Sequence, residues 1–348
     1  MKIKRTLWLD ILKIIACFLV IVNHAGGYVL GNNPSKITII FYCVNFAICK
    51  IAVPIFIMVT GSLLLKKESS YNDITKKIIR IVIPLIFISA IIYYKSNGIN
   101  IIGFIKNFIE EPIIYPYWYL YMLISLYLVT PLLQKMIKNF NNKDYEHLFI
   151  ICLAIPTLID LFNALLNIKI NTLFYICNFS KIVGIYILGY FLTTCDLKKK
   201  AKNIVVVAFP IVIIMFFLTL YIPYINTGKI SYTFDSYDTI FSIGASAMLF
   251  YIVRYYFNTK SANNKIANII NLISECTFGI YLFHFLIIHY IYYSNTFQLI
   301  FNFNKYIGIY LLEISVFVIS GIFTYALRQI PYIKKYLWLI KNKICYII

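Results

Sequence analysis

Charge is the scarcest commodity in this sequence. Only 13% of its 348 residues are charged, while 61% are hydrophobic. A soluble domain carries about 25% charged residues, so a single water-soluble core is excluded. Acidic residues number 13 and histidines four, which leaves little material for a metal site. The eight cysteines form no CxxC pair. Cys17, Cys49, Cys152 and Cys177 lie in or beside apolar runs and read as reduced, buried thiols, which argues against a disulfide framework or a zinc site. No small-residue cleavage site follows the first apolar segment, so its basic preface (Lys2, Lys4, Arg5) leads into a retained helix. No repeat and no terminal soluble domain is visible. The alternation of a membrane barrel, in segments of about ten residues, is also missing.

What the chain has instead is apolar runs of about 20 residues, the length that crosses a hydrocarbon slab of about 30 Å as a helix. Only helices or closed barrels satisfy their backbone there, so helices remain. The fold expected is all-α: a polytopic transmembrane helix bundle of about ten spans, N-in and C-in. Spans are placed at 7–27, 38–65, 79–95, 115–136, 147–167, 173–194, 204–225, 237–257, 276–296 and 306–327. Residues 99–111 are too short and polar to cross and suit an interfacial helix. Residues 1–330 form the membrane domain, and 331–348 a basic amphipathic tail on the cytoplasmic surface, anchored by Trp338.

The net charge of +19 fits this placement. Of the 32 Lys and Arg residues, 23 fall in loops and ends on one side, 6 on the other and 3 inside spans. Basic residues gather on the cytoplasmic side of membranes, so the excess signals topology and no nucleic acid is implied. Tyr115, Tyr117, Trp118 and Tyr119 mark an interface where the fourth span begins.

The three basic residues inside spans are Lys13, Lys50 and Lys181, and Asp10, Asp160 and Glu313 join them in apolar runs. A charge at the bilayer centre costs at least about 2.5 kcal/mol on insertion scales, so such groups face a cavity or a partner. The plain alternative is a Lys–Glu pair stapling two helices. In the first span Lys13 and His24 are eleven residues apart, about 20° from eclipsed and about 16 Å along the axis. Asp10 lies within about 40° of the His24 direction. One face of this helix is therefore polar. An imidazole there could take a proton near neutral pH, or simply bond a neighbouring helix. Gly26 and Gly27 are expected to end the helix.

Ser70 and Asp73 read as a capping box opening the third helix. Lys77 and Arg80 then share a face, with Lys76 beside them. Two cations near a helix N-terminus suit a phosphate-rich ligand, or ordinary cytoplasmic charge. His284 falls mid-span, and His289 is too far round the helix to share a metal with it. His147 is expected in solvent.

Several motifs together resemble the membrane acyltransferase family 3, the integral-membrane O-acyltransferases of bacterial polysaccharide modification. Lys13 to His24 is similar to the family's first-helix motif, and Lys77-Ile-Ile-Arg80 to its basic-x-x-Arg motif. Lys50 to Gly61, Trp118 to Tyr121 with Tyr127 and Pro131, and Phe278-Gly-Ile-Tyr281-Leu-Phe-His284 resemble its second, fourth and ninth spans. Lys13 and Lys77 stand where arginine is common.

The resemblance implies a multi-pass protein of the bacterial cell membrane that uses acyl-CoA, most often acetyl-CoA, as donor and no permanently bound cofactor. It implies an extracytoplasmic carbohydrate hydroxyl as acceptor. On it, His24 is the catalytic base or acyl carrier, assisted by Lys13, and Lys77, Arg80 and Lys76 bind the CoA phosphates. Lys50, Asp10, Lys181, Glu313, His284 and Tyr281 are expected to line the cavity, stabilise an oxyanion or contact the acceptor. A homodimer, or partners in envelope biosynthesis, would fit. The competing reading is an exporter of polysaccharide or lipid-linked sugar that performs no acyl transfer.

Overall fold

A computed structural model describes residues 6–166, 178–196, 198–258 and 264–331. No strand occurs among the described residues. The helices are α1 (Leu7–Ala25), α2 (Lys36–Cys49), α3 (Ala52–Leu64), α4 (Tyr71–Asn97), α5 (Ile101–Glu110), α6 (Trp118–Ile137), α7 (Asn142–Phe149), α8 (Ile155–Leu166), α9 (Asn178–Thr194), α10 (Lys199–Thr227), α11 (Ile240–Phe257), α12 (Asn264–Tyr292), α13 (Asn295–Phe303) and α14 (Lys305–Gln329). Among the described residues nine helical stretches are long and apolar enough to cross a membrane. The expected span at 173–194 starts outside the described residues and continues in α9, whose apolar part is Ser180–Thr194. The chain is thus a polytopic all-α membrane protein. Cys177, Trp338 and the tail beyond Pro331 lie outside the described residues.

Several boundaries move. The third span extends back to Tyr71 and the ninth to Asn264. In both cases a polar first turn or two precedes the apolar run, because a helix continues past the membrane when it is capped in water. Ser70 supplies that cap for α4, accepting from the Asp73 amide at 3.1 Å. The short helix α5 matches the interfacial segment expected at 99–111, and none of its residues is buried. Helix α13 was not foreseen.

The chain divides into two compact units. One holds residues 64–139 and the end of α14 from Phe323; the other holds residues 4–63 and 140–322. In the first, α5 folds back on α6 through Tyr121, whose hydroxyl donates to the Phe108 carbonyl at 2.9 Å. Gln134 of α6 organises the turn between α3 and α4. Its amide donates to the Leu64 and Lys67 carbonyls at 2.6 and 2.8 Å and accepts from the Ser69 amide at 2.9 Å.

In the larger unit α1 lies along α12. Asp10 meets Ser274, Cys17 meets the Thr277 carbonyl, His24 meets His284 and Tyr28 stacks on Tyr292. Both sequences rise together through these pairs, so the first and ninth spans run in the same direction, as two odd-numbered spans must. Helix α3 packs backbone to backbone on α9. A Cβ at Gly61 would stand 1.9 Å from the Tyr186 carbonyl oxygen, and one at Gly189 would stand 2.0 Å from that of Met58. Only glycine permits this approach, which is how helices associate where lipid offers no hydrophobic gain. Ser62 reinforces the contact by donating to the Gly189 carbonyl at 3.0 Å.

Candidate functional site

The second span is broken at its middle. It runs from Lys36 to Leu64 but as two helices, with Lys50 and Ile51 between them. Pro54 is the cause. A helical amide at 54 would bond the carbonyl of residue 50, and proline has no N–H to give. The Lys50 carbonyl instead accepts from the Ser242 hydroxyl of α11 at 2.8 Å. Ser246, one turn on, reaches the Ile51 carbonyl at 3.1 Å. Irregular backbone at membrane depth persists only where the protein satisfies it in this way.

The break presents the Lys50 ammonium. It lies 4.4 Å from the centre of the Phe46 ring and forms an ion pair with Asp235 of the loop before α11. Lys50 and His284 are both within electrostatic range of His24. Cys49 adds a contact to Asn23, and Glu313 of α14 acts electrostatically on the same thiol.

His24 sits on α1 beside His284, with ring centres 5.3 Å apart, and the edge of Phe285 closes in at 5.7 Å. The His284 Nδ1 lies 2.6 Å from the Tyr281 carbonyl. A carbonyl can only accept, so Nδ1 carries the proton and Nε2 keeps a lone pair. That Nε2 is buried and has no hydrogen-bond partner among the described residues. Both carboxylate oxygens of Glu313 share this condition. Orphaned acceptors of this kind cost about 1–3 kcal/mol each, and natural cores keep few of them.

Of the polar face expected on α1, Asp10 and His24 meet α12. Asp10, Cys17 and His24 recur every seven residues, and each has a contact on that helix. Asp10 accepts from the Ser274 hydroxyl at 2.5 Å. Lys13 is buried on the same part of α1. Gly26 and Gly27 do not break the helix by left-handed backbone. Gly26 keeps a φ of −59°, and residues 26–29 tighten into one 3-10 turn.

The other site residues fall elsewhere. Lys77 and Arg80 are half-buried and Lys76 is exposed on α4, in the smaller unit. Lys181 is held by Asp160 at 2.5 Å and Asp238 at 3.0 Å. With two carboxylates already on its ammonium, it is a poor oxyanion donor, and Lys50 is the lysine within electrostatic range of His24. His289 is exposed and rests on Tyr293, apart from His284, and His147 is exposed as expected. No cluster of three or more metal-binding side chains occurs among the described residues.

Asp235, Ser242, Ser246 and Asn23 escaped the reading of the sequence. Two signals could have pointed to them. Asp235 and Asp238 share one loop in a chain with only 13 acidic residues, and Ser242 and Ser246 are four apart on one face of an apolar helix.

The described residues thus bring a half-buried His24 against a buried His284 in a polytopic helical protein whose second span is broken at Lys50. The family model described as an acyltransferase domain matches residues 6–336, and the chain belongs to acyltransferase family 3. No curated protein and no solved structure matches it.

Proposed function

We propose that this membrane acyltransferase carries an acyl group, usually acetyl, from cytoplasmic acyl-CoA to a hydroxyl of an extracytoplasmic carbohydrate or cell-envelope glycan, in a bacterial cell membrane. The observation that carries the reading is the pairing of His24 with His284 next to the broken span at Lys50. His24 accepts the proton of the acceptor hydroxyl while its oxygen attacks the thioester carbonyl. The new C–O bond forms, the C–S bond breaks, and the imidazolium returns the proton to the departing CoA sulfur. Lys50, released from Asp235, offers its ammonium to the developing oxyanion. Lys13, lower on the polar face of α1, stabilises the donor below His24. Lys77 and Arg80, with Lys76, take the CoA phosphates as point and forked charges.

The test is acyl transfer by His24→Ala in protein shown to insert and fold. Loss of general-base help lowers turnover by about 10²–10⁴. Near-normal turnover would remove His24 from the mechanism. CoA affinity should fall when Lys77 and Arg80 are both replaced by alanine. An exporter without transfer chemistry would ignore CoA altogether.

A further inference from the structure

A polar cavity lies in the larger unit. Its volume is about 470 Å³, and Thr157, Asp160, Asn163, Phe234, Asp238 and Thr239 are among its lining residues. Small-ligand sites run from about 300 to 1,000 Å³. The walls come from α8, the loop 228–239 and the start of α11.

Lys181 stands behind this wall. Its side chain is 5% exposed, while those of Asp160 and Asp238 are 37% and 16% exposed. The two carboxylates therefore bind the lysine on one side and meet the cavity on the other. Held this way they are rigid acceptors, already oriented before any ligand arrives. Ser236 donates to Asp238 and fixes it further. Among the described lining residues there is no lysine or arginine, so the cavity faces a ligand with acceptors and net negative charge. Phe234 also lines the cavity, with most of its ring buried in the core against Phe241. A metal ion is the wrong occupant, because the ammonium of Lys181 already fills the position between the carboxylates.

The same loop reaches the reaction site. Asp235, between Phe234 and Ser236 of the cavity wall, pairs with Lys50 beside His24. On the topology that the basic residues favour, this loop and the end of α8 are extracytoplasmic.

We infer that this cavity is the acceptor subsite, and that it takes an uncharged or amino-bearing, hydroxyl-rich ring such as a pyranoside, and rejects anionic sugars. Hydroxyl donors meet the two carboxylates and Asn163. This rests on the acyltransferase reading but can fail separately from it.

The experiment uses the full chain in lipid nanodiscs. Ligand-observed NMR saturation transfer is recorded with the methyl glycosides of glucose, galactose, N-acetylglucosamine, glucosamine and glucuronic acid. CoA binding is measured in parallel. Thr233→Trp covers the cavity from an exposed wall position without touching the Lys181 ion pairs, so folding is spared; Asp160→Asn removes one acceptor. The inference expects saturation of at least one neutral or amino glycoside and none of the glucuronide. It expects that signal to fall at least about fivefold in Thr233→Trp while CoA affinity changes less than twofold. Equal saturation in wild type and Thr233→Trp, preference for the glucuronide, or no glycoside signal at all would overturn it. A wild-type protein that binds glycoside but neither binds CoA nor transfers an acyl group would sink the enzymatic reading, and with it the acceptor role, leaving the cavity as a glycoside-binding site.

Discussion

Ser242 gives its hydroxyl proton to the Lys50 carbonyl, replacing the amide that Pro54 cannot supply. This bond couples α11 to the midpoint of the second span and holds the lysine where His24 can feel it. Replacing Pro54 with alanine restores the missing N–H and lets α2 and α3 join. Interior proline costs a helix about 3 kcal/mol, so the variant should melt at the same or a higher temperature. It should nevertheless transfer acyl groups poorly, because Lys50 rotates with the straightened helix. Thermal unfolding and turnover measured on one preparation would show the split; a Pro54→Ala protein with full turnover would mean the break is ornamental.

His284 offers a sharper separation of stability from activity. Its Nε2 is a buried acceptor with no donor among the described residues, so exchanging the ring for the somewhat larger phenylalanine removes that orphan together with the Nδ1 bond to the Tyr281 carbonyl. The two effects oppose each other, so thermal stability should change little. Turnover should drop at least about tenfold, the scale of one hydrogen bond to a charged or reacting group. Glu313→Leu should behave alike, since both carboxylate oxygens are orphaned. If either variant is as active as the parent, that group is a tolerated packing defect.

The contact of α3 with α9 should tolerate nothing larger than hydrogen. Gly189→Ala places a methyl group 2.0 Å from the Met58 carbonyl oxygen, and backbone must move to admit it. Overpacking of this kind costs about 1–3 kcal/mol. A lowered melting temperature in detergent is expected. An unchanged one would show that the two helices part more easily than their spacing implies.

A surface pair makes the pH prediction. Glu68 and Lys138 lie outside the spans, 2.9 Å apart. The hydrogen bond and charge of Lys138 lower the Glu68 pKa, and Glu68 raises that of Lys138. A lowered carboxyl contributes above its unfolded pKa of about 4.5 and fades as pH falls through the folded value. A raised lysine contributes below its unfolded value and is lost as pH climbs through the folded one. The pair is therefore whole from about pH 5 to 10 and weakens at both extremes. Glu68→Gln should alter melting only within that window, by a small amount that 0.5 M salt largely erases. A large shift persisting in salt would contradict this.

Much of this architecture was legible because a membrane simplifies the code. Apolar length gave the spans, basic loops gave alternation, and helical spacing put Asp10 near the direction of His24 on one face of α1, where both do meet α12. The break at Lys50 was harder to read. Pro54 announces a weak helix, but only the hydroxyls of Ser242 and Ser246, nearly 200 residues later, make a stable break of it. Asp160, in an apolar run, announced that Lys181 needs such a partner, but Asp238 hid for the same reason: an aspartate in a loop carries no periodicity. Long-range pairing leaves no local trace.

Order of synthesis gives the ion pair at the broken span another meaning. Lys50 enters the membrane early, yet Asp235 follows it by 185 residues. Until that loop is made, the nascent chain holds an ammonium in hydrocarbon at a cost of about 2.5–3.5 kcal/mol. The second span therefore carries that cost until the segment from α10 to α11 brings Asp235 to Lys50, so the geometry around the break is completed only after two thirds of the chain has been made.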